Sequence, residues 1–391
     1  MKKVFILMLV LLVSCSILWA GGKPEEEQKT VQEAQIASAE EDWDAIYEAA
    51  KAEGKVVLYS LSSRIYDALE GFNDLYPGIE VEAIDMPDVE QIDKITREQN
   101  AGVYNADVLM LANGSTLLNE LMPKGYVQNY VPSVLVDGVP TDEAIAEDFQ
   151  RPLLIHSLES KVVFYNTEVY PDGAPVDNLW DLTKPEWRGK VQMKDPMLTE
   201  ENLNLLQTIV QHADEMEAAY ELEFGEKLQL SAEAENAGEE FIKRLLDNGI
   251  VLTTSDGDAA MAVGAAGQSD PPLTLSVASS KIRYNESKDA KLGVAWEMEP
   301  KVGITKANHL VMAANAPHPN AAKLLIRYLL GDANGQGGME PFNVPYGWAS
   351  RSDVKPQGDL GLDDLREYTW FIDYNYVYNY GLPVRDFWMT F

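Results

Sequence analysis

Residues 56–72 read VVLYSLSSRIYDALEGF: a short apolar run breaks into Ser60, Ser62, Ser63 and Arg64, then resumes as an amphipathic pattern. The run suits a strand buried on both faces, and the residues after it have the spacing of a helix with one apolar side. The polar residues therefore sit where a strand hands over to a helix. In open α/β sheets, ligands bind beyond the carboxyl ends of strands, so this seam is the first candidate site.

The pattern repeats on both sides. A short helix is predicted over Trp43 to Ala52, strands over Lys55 to Ser60 and Ile79 to Ile84, and helices over Arg64 to Leu75 and Gln91 to Ala101. A strand from Ala106 to Ala112 ends in the turn Asn113-Gly114. A second region opens near Leu153. Its strands are KVVFYN and GKVQMKDP, separated by Leu179 to Trp187, and its helices span Asn202 to His212 and Ala237 to Leu246. Then GIVLTTSDGDAAMAVGAAG gives strand, turn and helix, and LTLSVASSK a strand ending in serines. His309 to Pro317 and Asn320 to Leu330 supply a further strand and helix. Such alternation argues for an α/β fold with largely parallel sheets, arranged as two lobes between which the chain crosses. The expected boundaries are 42–152 plus 308–391 for lobe 1 and 153–307 for lobe 2.

The N-terminus reads as an export address. Lys2 and Lys3 precede an apolar run from Val4 to Val13, too short to cross a hydrocarbon core of about 30 Å. Residues 1–22 are the expected signal peptide. Two cuts compete: Leu12-Val13-Ser14-Cys15 is similar to a bacterial lipobox, with lipid attached to the chain's single cysteine, whereas Ala20-Gly21-Gly22 suits an ordinary signal peptidase. The polar, acidic stretch 23–41 reads as a tether. The body is then expected to be periplasmic or otherwise extracytoplasmic, with a possible lipid anchor to the membrane. A formal net charge of −32 argues against nucleic acid as a partner, because phosphate contacts need a basic face.

Five polar turns succeed strand-like runs: Ser60 to Arg64, Asn113 to Thr116, Thr199 to Asn202, Thr253 to Asp258 and Ser279 to Lys281. Each alone is accounted for by ordinary helix capping. Their recurrence gathers hydroxyls, amides and free helix N–H groups suited to polar or anionic ligands. The motifs of serine hydrolases, zinc proteases, phosphate loops and dinucleotide folds are absent, the four histidines are dispersed, and no cofactor or metal is expected. Tyr374, Tyr376, Tyr378 and Tyr380 alternate near the C-terminus and are read, with Trp370, Phe387 and Trp388, as an aromatic face closing the first lobe.

The chain resembles the substrate-binding proteins of ABC importers, in their iron(III)-type branch. YEAAKAEGKVVLYSLSSR, FNDLYPGIEVE, VVFYNTE, LWDLTKPEWRGKVQMKDP and HLVMAANAPHPNAAKLLIRYLL carry the resemblance from about Tyr47 to Leu330. It implies a type II periplasmic-binding fold with two lobes, a hinge and a cleft. It also implies a small-molecule solute delivered to a permease powered by a separate ATPase, with no enzymatic activity. By position, the cleft residues would be Ser62, Ser63, Arg64, Asn113, Ser115, Thr199, Asp256 and Ser280. Members that hold ferric ion carry an adjacent tyrosine pair where this chain reads Ala278-Ser279-Ser280-Lys281, so an anionic or polyhydroxyl solute, held by hydroxyls with Arg64 and Lys281, is the expectation. The alternatives are a ferric-ion binding protein and, from another class, an exported hydrolase acting on a phosphorylated or glycosidic substrate.

Overall fold

The computed structural model describes residues 41–391. The 1–22 leader with Cys15, and all of the 23–41 tether except Glu41, lie outside the described residues. Glu41 itself is tied to the folded body, where its carboxylate accepts from Tyr130, Ser133 and Lys323.

Lys55–Ser60 is a strand, buried from Val56 onward, with parallel neighbours on both sides: Glu80–Asp85 and Val108–Leu111. A strand flanked on both edges and covered on both faces has to be apolar throughout, which is what VVLY supplies. The helix expected over Arg64 to Leu75 is instead two short ones, Arg64–Ala68 and Phe72–Leu75. They part at Gly71, where a Cβ would come within 2.8 Å of the Tyr328 hydroxyl, so the chain turns beneath the helix Pro319–Leu329.

The main sheet continues with the two long strands Leu154–Val162 and Gly303–Ala313, which run antiparallel to each other. Each has one end in each of two apolar cores: Leu154, Leu158, Ala307 and Leu310 belong to the first, Val162 and Ile304 to the second. These are the crossings between lobes. In their register Lys306 faces Glu159 and Ile304 faces Lys161, so Glu159, Lys161 and Lys306 share one face.

The second core gathers around Trp180. Its ring meets Tyr220 and Phe241 edge-on at 5.0 and 5.3 Å, and its Nε1–H donates to Met216 O. Around it lie a small parallel sheet of Val191–Lys194, Val251–Thr253 and Leu273–Thr274 and the helices Glu200–Gln211, Ala213–Phe224 and Ala237–Asp247. The run LTLSVASSK is not one strand: Ser276 takes a left-handed φ of 60°, splitting it into Leu273–Thr274 and Val277–Ala278, which join different sheets.

The C-terminal tyrosines require a correction. They lie on a helix, Tyr374–Trp388, not on a face closing the first lobe. Val384 and Trp388 of that helix, with Trp370, enter the second core, while Tyr374 packs over Gly114 of the first lobe so closely that a Cβ there would meet its ring at 2.5 Å. The helix is a strap touching both lobes.

Candidate functional site

A cleft of about 520 Å³ opens where the lobes face each other. One wall is the turn after the second strand, Asp85 to Val89, with Leu61, Ala112 and Asn113. The other is Leu198 to Glu201 with Asn204 and Lys194, and Lys306 forms the floor. Both walls are strand-to-helix turns. Asp88 opens the helix Asp88–Ala101, and Glu200 and Glu201 open Glu200–Gln211, so three carboxylates sit at helix N-termini, where the macrodipole favours their charge.

These groups are bonded across the gap. Asp88 Oδ2 accepts from the backbone N–H of Ala112 at 2.9 Å and of Asn113 at 3.0 Å. The Asn113 side chain donates to Glu200 Oε2, and Ser115 Oγ lies within hydrogen-bond distance of Glu200 Oε1 at 3.1 Å. Glu201 takes Thr199 Oγ1 at 2.7 Å and Lys306 Nζ at 2.9 Å. Burial pushes the Asp88 carboxyl up to about 6, against the pull of Lys306. Burial also pushes Glu200 up to about 7, with the Asp88 and Glu201 charges adding to it while Ser115 and Asn113 work the other way. Glu201 goes the opposite way: burial would raise it, but Lys306 and Lys161 outweigh burial and hold it well below the usual carboxylate range.

Of the eight residues singled out from the sequence, Asn113 and Thr199 line this cleft, and Ser115 stands directly behind it. The other five do not line it. Ser62 is used locally: its hydroxyl accepts from Arg64 N at 3.4 Å and its backbone bonds Ser60 Oγ. Ser63 is the exposed N-cap of a five-residue helix. Arg64 pairs with Glu159 at 3.4 Å. Ser280 is buried, its hydroxyl and carbonyl both accepting from Arg283. Asp256 binds Lys161 Nζ at 2.8 Å and Ala278 N at 3.0 Å. Arg64, Ser280 and Asp256 thus serve the charged face of the crossing strands. What sequence reasoning missed is Asp85, Asp88, Lys194, Glu200, Glu201, Asn204 and Lys306. The turn DMPD carried a usable signal, a polar break after a strand like the five others. Glu200 and Glu201 stood inside the polar turn Thr199 to Asn202 but were not singled out as cleft residues, and Lys306, inside a strand, had no signal.

The chain matches, over residues 67–354, the family model described as bacterial extracellular solute-binding protein. It belongs to that family. A solute-binding protein of this kind is the substrate-binding component of an ABC transporter and not an enzyme, which removes the hydrolase alternative. No curated protein matches. Among solved structures, the apo ferric ion-binding protein A of Pasteurella haemolytica is similar at 17% identity and a TM-score of 0.63, covering 86% of this chain and 98% of its own. Iron-bound HitA from Pseudomonas aeruginosa is similar at 15% and 0.62, with the same coverage. The substrate binding protein of an ABC transporter from Agrobacterium tumefaciens gives 16% and 0.55, covering 81% and 85%. At such identities the likeness establishes the fold, the type II periplasmic-binding architecture.

Proposed function

We propose that this solute-binding protein holds its solute in the cleft between Asp85–Val89 and Leu198–Asn204, and that the solute is a small polar molecule, uncharged or positively charged. The observation that carries this is the charge of the lining. Asp85, Asp88, Glu200 and Glu201 face only Lys194 and Lys306, and Lys306 is already paired. The preference for an anion, built on Arg64 and Lys281, loses its basis: neither lines the cleft, and Arg64 is held by Glu159. The helix end best placed to cradle an anion, at Thr199, carries two carboxylates instead.

A bare ferric ion is disfavoured on the same grounds of donor arrangement. Ser279 and Ser280 stand where the tyrosine pair of iron-holding relatives is expected, and both hydroxyls are engaged, Ser279 by Tyr346 O and Ser280 by Arg283. Among the described residues, the carboxylates gathered closely enough to chelate an ion are Asp177, Asp181 and Glu223, away from the cleft, and Lys184 bridges two of them.

Asn204 is the probe residue, since it lines the cleft without being part of the Asp88–Asn113–Glu200 network. Calorimetry against polyols, amines, inorganic phosphate and ferric citrate is expected to find tight binding in one of the first two classes. Asn204→Ala is expected to weaken that binding about fivefold, the loss of one hydrogen bond of ~1 kcal/mol. Tight binding confined to phosphate or ferric citrate would overturn the reading. The same proposal places a lipid on Cys15 for membrane attachment. The mass of the mature protein expressed in a bacterium decides this, with an unmodified chain beginning after Ala20 counting against it.

A further inference from the structure

Asn113 stands between two carboxylates from opposite lobes. Its backbone N–H goes to Asp88 and its side-chain amide to Glu200. Behind it, Ser115 Oγ lies 3.1 Å from Glu200 Oε1 and 3.1 Å from Asn113 Oδ1. A hydroxyl has one proton to give, and two acceptors face this one. A proton on Glu200 completes the chain, with the Glu200 O–H donating to Ser115 and the Ser115 O–H donating to Asn113. On the other side, Asp88 Oδ1 has no donor and is shut off from solvent, although Asp88 lines the cleft. A buried carboxylate oxygen without a donor is costly, and a guest N–H is what would satisfy it.

Resting on the cleft as the solute site, we propose that the Asp88–Glu200 pair holds one proton in the empty receptor, and that a solute ammonium group seated in the cleft against the two carboxylates expels that proton to solvent. Glu200–H and R–NH3⁺ become Glu200⁻ bound to R–NH3⁺, with one H⁺ released, so charge and atoms balance. Two like charges sharing a site cannot both ionise cheaply, and the ammonium removes that constraint with charge-assisted hydrogen bonds. Two lysines share the cleft, and neither pairs with Asp88 or Glu200. Lys306 is engaged by Glu201 at 2.9 Å, and Lys194 lines the cleft from the second lobe. Glu201 and Asp85 add negative charge. Tyr374, from the C-terminal helix, meets His309 Nε2 at 3.2 Å, and burial holds that imidazole down to about 4, hence neutral. Values near 6 for Asp88 and 7 for Glu200, both raised by burial, put the exchange at neutral pH.

The test is calorimetry of the full mature protein with 1,4-diaminobutane, and with 1,4-butanediol as the uncharged control, at pH 7 in phosphate and in Hepes. The difference in observed heat between the buffers counts protons. The expected result is release of about half a proton or more with the diamine, none with the diol, and diamine affinity rising about fivefold from pH 6 to pH 7. In Glu200→Gln both the release and the pH dependence are expected to vanish, and if Glu200→Gln does not fold, Asp88→Asn, which removes the like charge but leaves Glu200 buried, is expected to diminish both. Diamine binding without proton release, or binding of the diol alone, overturns the proposal and leaves the cleft reading intact. If binding of every solute is indifferent to Asn204→Ala, the cleft reading itself falls.

Discussion

Lys306 is the cation on which the charge balance of the cleft floor turns. It sits inside a strand, with its side chain 13% exposed, and faces Glu201 from one lobe and Glu159 from the other crossing strand. Burial works against its charge, but Glu201 and Glu159 outweigh burial and keep it charged beyond the ordinary lysine range. Replacing it by Met leaves Glu201 without its partner in a poorly solvated place. The expected cost at pH 7 is about 2–3 kcal/mol, measured as a shift in the urea midpoint at constant slope. The pH dependence has a definite sign. Glu201 is depressed in the folded state below its ordinary 4.5, so the contribution of the pair is complete above that pH and is lost as pH falls further. The gap between native protein and Lys306→Met should therefore narrow below about pH 4.5. A gap that stays constant to pH 3 would remove Glu201 as the cause. No reading of the sequence could single out this lysine, because which strand residues point into a cleft depends on a register set by a partner strand about 145 positions away.

At the scale of elements, legibility depends on how local the determining physics is. Lys55–Ser60 was readable to the residue because a doubly covered strand is apolar throughout and stops where its polar seam begins. The helices Ala237–Asp247 and Pro319–Leu329 were readable because one stripe of each is buried, Phe241, Ile242 and Leu245 in the first and Leu324, Leu325 and Tyr328 in the second. The block LWDLTKPEWRGKV also has a local logic. Asn178 and Asp181 form a capping box, with the Asp181 carboxylate accepting from the backbone of residues 177 and 178, and this fixes Trp180 for insertion into the second core. What failed were breaks imposed from outside: Gly71 by Tyr328 and Ser276 by its change of sheet. The C-terminal tyrosines misled for a related reason, since their alternation was read as one aromatic face, whereas the N-cap Asp373 accepts from the N–H groups of Asn375 and Tyr376 and starts a helix there. The cleft obeyed the same rule: the polar turns after strands were legible one by one, but which of them meet across the gap was not.

For the whole molecule, the buried titratable groups pull in opposite directions. His156 Nε2–H donates to Leu329 O while its Nδ1 meets Ser157 Oγ, and burial lowers it to about 4, as it does His309. Both take up protons more readily when unfolded, so lowering the pH from 7 to 5 favours the unfolded chain by about 2 kcal/mol for each, on the order of 4 kcal/mol together. Asp88 and Glu200 do the reverse. Their folded values of about 6 and 7 lie above the ordinary 3.8 and 4.5, so the folded state binds protons in this window that the unfolded state does not. Over the same interval they return on the order of 4 kcal/mol. The carboxyls held low by cations, such as Glu201 and Asp256, are mostly ionised in both states above pH 5 and contribute little slope there. The native receptor is therefore expected to show nearly constant stability between pH 7 and pH 5. The Asp88→Asn/Glu200→Gln variant should lose about 4 kcal/mol over that interval, because the histidines then act unopposed. Urea unfolding of both proteins at half-unit steps of pH measures it. A native profile that falls steeply across this window, or a variant profile as flat as the native one, would show that the cleft carboxyls do not balance the buried imidazoles.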